Sequence, residues 1–253
     1  MSSFANNSAD TFKDKYFKYK NKYINLKNQT AGRRGAREEY QLSNDHKSLV
    51  ITDSVERIRP EGFSQMGIIK LHLGKRVETI GKSAFWYNNI EYVVIPDSVI
   101  TIGDSAFFNN KINDLKIGTN VETIRKYAFS KNKLTSVTIP DSVTTIGKGA
   151  FADNLIAKVT IGNSVTTIGE YAFENNQLTS IIIPNSVTTI DNFAFSNNKL
   201  TEIIIPSSVT TIGKGAFTNN QLTKVTIPKD FKGRKDIFDP SKSWFGDIIF
   251  TYI

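Results

Sequence analysis

Apolar side chains return every 22 residues through the middle of this chain, separated by polar positions that return with the same period. One unit, residues 134 to 156, reads LTSVTIPDSVTTIGKGAFADNLI. Leu134, Val137 and Ile139 have the spacing of a short strand whose alternate side chains point inward. Val143 and Ile146 mark a second buried side, with Thr144 and Thr145 outward between them. Gly147 then opens a corner, expected as a short helical turn, that carries Ala150 and Phe151 inward. Phe63, Phe85, Phe107, Phe129, Phe151, Phe173, Phe195 and Phe217 keep one register, and Ile58, Ile80, Ile102, Ile124, Ile146, Ile168, Ile190 and Ile212 another. So small a unit cannot bury its own apolar face and must do so against its neighbours, which predicts a solenoid.

The polar stations have duties too. Pro140 withholds a donor and ends the strand. Pro96, Pro184, Pro206 and Pro228 hold the same place, and Gly74, Gly118 and Gly162 substitute for them. Ser142 recurs as Ser54, Ser98, Ser164, Ser186 and Ser208, with Asn120 in one unit; Asn154 recurs as Asn88, Asn110, Asn132, Asn176, Asn198 and Asn220. Corner backbone groups lose their sheet partners, so both columns are expected to be hydrogen-bond ladders rather than rows of nucleophiles. Nine strand segments stacked at the sheet spacing predict one parallel sheet and a rod of roughly 40 Å.

Outside the repeat the pattern changes. In residues 1–27, Phe12, Tyr16, Tyr19, Tyr23 and Leu26 fall at helical spacing among lysines, which reads as a basic amphipathic helical leader. Residues 28–46 lose the periodicity and read as a flexible linker. The solenoid occupies 47–228. Residues 229–253, with Trp244, Phe245, Ile248, Phe250 and Tyr252, read as a cap over the last unit, a homodimer contact being the alternative.

The runs IPDSVTTIGKGAF, IPNSVTTIDNFAF and IPSSVTTIGKGAF, each followed closely by an Asn-rich corner, resemble the leucine-rich repeats of the BspA, or treponemal, type over residues 47 to about 228. That resemblance implies a right-handed, gently curved coil with its strands on one long face, and adhesion or protein contact as the role. Residues 13 to 29, within YFKYKNKYINLKNQ, resemble the lysine- and tyrosine-rich segments near the termini of giant double-stranded DNA virus proteins. That second resemblance implies a viral protein in host cytoplasm or virion; without it the expected location is cytoplasmic, since no signal peptide and no apolar run of about 18 residues is seen.

Composition narrows the chemistry. There is no cysteine, which excludes disulfides and thiol chemistry, and only two histidines, His46 and His72, in different registers. No metal-ligand spacing and no phosphate-binding glycine run occurs, so neither a cofactor, a metal nor a catalytic residue is assigned. The net charge is +8, and residues 1 to 40 hold nine Lys or Arg against four Asp or Glu. The expected function is therefore a non-enzymatic scaffold binding a protein partner through its strand face; the alternative is association of the basic leader with nucleic acid or an anionic membrane surface. The partner-binding candidates are Val94, Ile182 and Ile204, apolar residues in the outward row of the strands, together with Trp86 and Phe108, which follow the repeated Phe where other units have small residues.

Overall fold

The computed structural model describes residues 39–238 and 248–253, so the leader helix, most of the linker and part of the cap lie outside the described residues. Each turn of the chain, or rung, runs along three sides of a coil. The strand side holds β2 (Ser48–Ile51), β4 (Lys70–His72), β6 (Tyr92–Val94), β8 (Asp114–Lys116), β10 (Ser136–Thr138), β12 (Lys158–Thr160), β15 (Glu202–Ile204) and β17 (Lys224–Ile227). The second side holds β3 (Arg57–Ile58), β5 (Thr79–Ile80), β7 (Thr101–Ile102), β9 (Thr123–Ile124), β11 (Thr145–Ile146), β13 (Thr167–Ile168), β14 (Thr189–Ile190) and β16 (Thr211–Ile212). The chain is closed at its ends by β1 (Tyr40–Leu42) and β18 (Ile249–Tyr252).

The Thr-Ile side is one uninterrupted parallel sheet from β3 to β16, with Thr beside Thr and Ile beside Ile in most rungs. β-branched residues suit a pleated surface with one wet and one buried face, which is why this dipeptide repeats. Inside, the Phe rings stack with centroids 5.1–5.6 Å apart and near-parallel planes, forming a continuous column from Phe63 to Phe217. The expected inward residues Val143, Ile146, Ala150 and Phe151 are fully buried.

The corner expected as a short helical turn is not helical. Its third and seventh residues are left-handed, as at Ser105 (φ 54) and Asn109 (φ 56). That geometry aims the amides at the next rung: Ser105, Phe107 and Asn109 donate to Lys126, Ala128 and Ser130 at 2.7, 2.8 and 3.0 Å. A helix would have turned these donors back along its own axis.

The asparagine column is a ladder, as expected. Asn110 accepts the amide of Ile90 at 3.1 Å and donates to the carbonyls of Phe85 and Phe107 at 2.9 and 3.2 Å, and the same set recurs from Asn132 to Asn220. The serine column is a ladder only in part. Ser98, Ser142, Ser186 and Ser208, which follow prolines, donate to Val77, Val121, Val165 and Val187 of the rung before at 2.7–2.9 Å. Asn120 and Ser164, which follow glycines, are exposed and make no such bond. At those rungs the turn is held instead by the preceding Asp: Asp97 and Asp141 accept the amides of Thr119 and Asn163 at 2.7 Å.

The single sheet expected on the strand side is broken into three: β1-β2-β4-β6-β8, β10-β12 and β15-β17-β18. Gly118 shows what closes a step. A Cβ there would lie 2.4 Å from the carbonyl oxygen of Pro96, so only glycine lets its rung draw so close to the one before. β6 and β8, which precede Pro96 and Gly118, pair over three residues, whereas β8 and β10, which precede Gly118 and Pro140, form no ladder.

Both ends are covered. The linker expected over 28–46 contains β1, which pairs antiparallel with β2 and sets Tyr40 edge-on to Phe63, extending the aromatic column by one ring. Apolar side chains at alternate positions, Tyr40 and Leu42, explain the strand. At the other end Phe238 stacks beneath Phe217, Ile237 accepts the amide of Phe217 at 3.0 Å, and Arg234 donates to the carbonyl of Ile212 at the open end of the Thr-Ile sheet.

Candidate interaction surface

The strand side presents an outward row between its two inward positions. In it the structure places Val94 (41% exposed), Ile182 (85%) and Ile204 (63%), where Thr138 and Thr160 stand in the middle rungs. Ile182 and Ile204 occupy successive rungs, with exposed Ser180 and Glu202 two positions before them.

The rung that carries Ile182 differs from every other described rung on this side. Residues 180–183 form no strand and bond to neither neighbouring rung along the strand side, although Ile181 and Ile183 still point inward and are buried. The rung is secured elsewhere. Asn176 and Asn198 hold its corners, Thr189 and Ile190 its place in the Thr-Ile sheet, and Phe195 donates to Ala216 at 2.8 Å. Ile182 is thus an apolar side chain on an extended segment whose own N–H and C=O groups are free of ladder bonds.

Trp86 and Phe108 are half-buried and do not meet, although they are one rung apart. Trp86 packs on Tyr87 at 5.5 Å, and Phe108 lies under the ammonium of Lys131 at 5.6 Å. The expected joint aromatic patch is therefore two separate contacts.

Two features escaped the sequence reading. Tyr92, exposed on β6 two residues before Val94, enlarges the apolar area at that end, and its outward station was legible from the strand period. The second is a row of rings at left-handed corner residues, Tyr127, Tyr171 and Phe193. Tyr127 lies across Gly149 and Phe193 across Gly215, at distances no Cβ would tolerate, and Tyr171 stacks on Phe193 at 5.2 Å. The glycines were visible in the sequence; the rings filling their space were not.

Burial pushes the Glu174 carboxyl above its ordinary value, against bonds from Ser196 and Asn197 that lower it. The Asp236 carboxyl is held below the usual range by its paired bonds to Arg234 at 2.7 and 2.8 Å, and both belong to the cap. Among the described residues no group of three or more His, Cys, Asp or Glu is placed to hold a metal ion, and no helix is long and apolar enough to cross a membrane. What the arrangement offers is contact area.

The sequence matches the BspA type leucine rich repeat region in six copies, over residues 37–157 and 122–243. Among solved structures, a leucine rich cell surface protein of Faecalibacterium prausnitzii is 22% identical with a TM-score of 0.52, covering 76% of this chain and 69% of its own. The pneumococcal vaccine antigen PcpA is 21% identical with a TM-score of 0.43, and the match takes in 74% of this chain but 64% of that one, so the chain spans just under two thirds of that relative. A leucine rich repeat protein of T. pallidum is 18% identical with a TM-score of 0.33, covering 74% of this chain and 67% of that one. A search of curated proteins finds no match. The repeat match runs through most of the sequence and the coil described above is what it calls for: the chain belongs to the BspA-type leucine-rich repeat family.

Proposed function

We propose that the protein is a non-enzymatic scaffold that binds a protein partner through its strand side, with Ile182 and Ile204 at the centre of the contact. The observation that carries this is the exposure of both side chains on successive rungs where threonine is the neutral choice. The missing ladder bonds of residues 180–183 support it, because a partner's polar groups then have backbone donors and acceptors to meet beside the apolar pair. Val94 and Tyr92 form a smaller outlying apolar area on the same side. Membership of a repeat family whose structural relatives include a cell surface protein agrees with a contact role.

The test compares the whole chain with the variant Ile182→Asp, Ile204→Asp as bait. Partners retained by the first and lost by the second, with thermal stability equal in both, are the expected result. Identical partner sets for the two baits would refute the assignment. The basic leader carries the second reading, since residues 1 to 40 account for a charge of +5 of the total +8. That reading requires binding to fall steeply with salt and to vanish when residues 1–38 are removed.

A further inference from the structure

Among the described residues, β18 is paired along one edge only, with β17. On its inner side the amides of Ile249 and Ile253 donate to Thr223 and Ile227 at 2.9 and 3.2 Å. Alternation along a strand turns the N–H and C=O of Phe250 and Tyr252 the other way, where no described residue bonds them. β18 carries neither charge nor proline, the usual means of keeping an open edge from pairing. Ile249 is 67% exposed and Ile253 49%.

We propose that this edge pairs with the same edge of a second copy of the chain, antiparallel about a two-fold axis at Thr251. The register follows from which groups are free. Phe250 exchanges both backbone bonds with the second copy's Tyr252, and symmetry repeats the exchange. Thr251 then faces the second copy's Thr251 as a non-hydrogen-bonded pair, and Ile249 faces Ile253, covering the two exposed isoleucines.

Any extended strand would satisfy the backbone, but this sequence complements itself further. Ile-Phe-Thr-Tyr-Ile, reversed upon itself, sets aliphatic against aliphatic and aromatic against aromatic, and brings no charge against a like charge. The half-buried rings of Phe250 and Tyr252 lose their remaining water in the same step. The strand edge covers less than the roughly 800 Å² per partner of a standard interface, so the dimer is a concentration-dependent one.

Because the chain has no cysteine, Thr251→Cys introduces a single thiol. Facing residues of a non-hydrogen-bonded pair have Cα atoms about 4.5 Å apart, within reach of a disulfide. Mild oxidation is expected to link Thr251→Cys into dimers at least tenfold faster than Thr138→Cys, an exposed position in the middle of the strand side. Sedimentation velocity of the unaltered chain should show a monomer-dimer equilibrium. Thr251→Lys and Thr251→Glu should each weaken it about fivefold or more, and an equimolar mixture of the two should restore it. Thr251 is exposed, so unchanged melting temperatures exclude misfolding as the cause. Monomer at every concentration with equal crosslinking at the two positions, growth beyond dimer, or failure of the mixture to associate would each overturn the proposal.

Discussion

Replacing Asn154 by alanine tests the physical basis of the coil more sharply than any apolar deletion. Asn154 is buried; its amide nitrogen donates to the carbonyls of Phe129 and Phe151 at 3.0 and 3.1 Å, and its oxygen accepts the amide of Leu134 at 3.1 Å. The carbonyls do not become orphans on truncation. Phe129 keeps a bond from Asn132 at 3.0 Å and Phe151 one from Asn176 at 2.9 Å, because each carbonyl serves its own rung and the next. The amide of Leu134 has no such second partner. One buried N–H left unpaired costs about 1–3 kcal/mol, and losing the surplus bonds at the carbonyls of Phe129, Phe151 and Ala152 adds about half that again, giving roughly 1.5–4.5 kcal/mol in all. Urea unfolding gives the loss, with Asn185→Ala, an exposed position, expected to cost under about 0.5 kcal/mol. Hydrogen exchange should show the Leu134 amide among the first to lose protection. Stability within about 0.5 kcal/mol of the parent together with a Leu134 amide as slow as before would refute the ladder account.

Other perturbations probe the remaining stations. Phe151→Ala opens a cavity between Phe129 and Phe173, stacked on it at 5.5 Å on either side, and should cost about 3–5 kcal/mol in the same urea assay. Gly118→Ala places a methyl group 2.4 Å from the Pro96 carbonyl oxygen, and the strained step should cost about 1–3 kcal/mol and speed exchange of the amides in β8. For Glu174, burial raises the folded-state value, so the folded chain takes up this proton more readily than the unfolded one. Its contribution is whole below the ordinary glutamate value of about 4.3 and is lost as pH rises through the higher folded value. Glu174→Gln is therefore expected to melt above the parent at pH 7 and with it at about pH 3.5, and a constant offset at both would disprove the assignment.

Much of this fold could be read from the sequence because each station has one tolerable environment. Phe, Ile and Val at a fixed period had to face inward, and Asn88 through Asn220 had to satisfy the corner they repeat at. The corner's backbone was less legible. Ser105, Tyr127 and Phe193 hold one left-handed station without sharing a residue type; Gly149 and Gly215, at the same station in other rungs, are its trace in the sequence, and the ladder to the next rung shows that every rung adopts it. β1 was hidden because three residues carry too little period to stand out from a linker. The candidate surface was legible in kind: Ile182 and Ile204 were picked out as apolar residues in a wet row. That Trp86 packs on Tyr87 while Phe108 lies under Lys131 is a matter of side-chain packing that the repeat pattern does not encode.

The gaps in the strand side follow a rule that connects stability to surface. Steps that end on Gly74, Gly118 and Gly162 are all paired over three residues, because each glycine draws its rung onto the carbonyl before it. Drawing a rung back widens the step that follows, and those steps have one bridge, at Lys70 and Tyr92, or none. The rung of Ile182 follows Gly162 and precedes Pro206, where no glycine closes the next step, so it is open on both sides. Proline alone does not set the gap, since β15 and β17 pair across Pro206 and Pro228, with β18 beyond them. The Thr-Ile sheet and the phenylalanine column continue unbroken past the same rung, so the coil does not depend on the strand side there. A face that carries no share of the fold's continuity is free to vary, and isoleucine rather than threonine at its most exposed position is a choice that packing inside the coil does not explain.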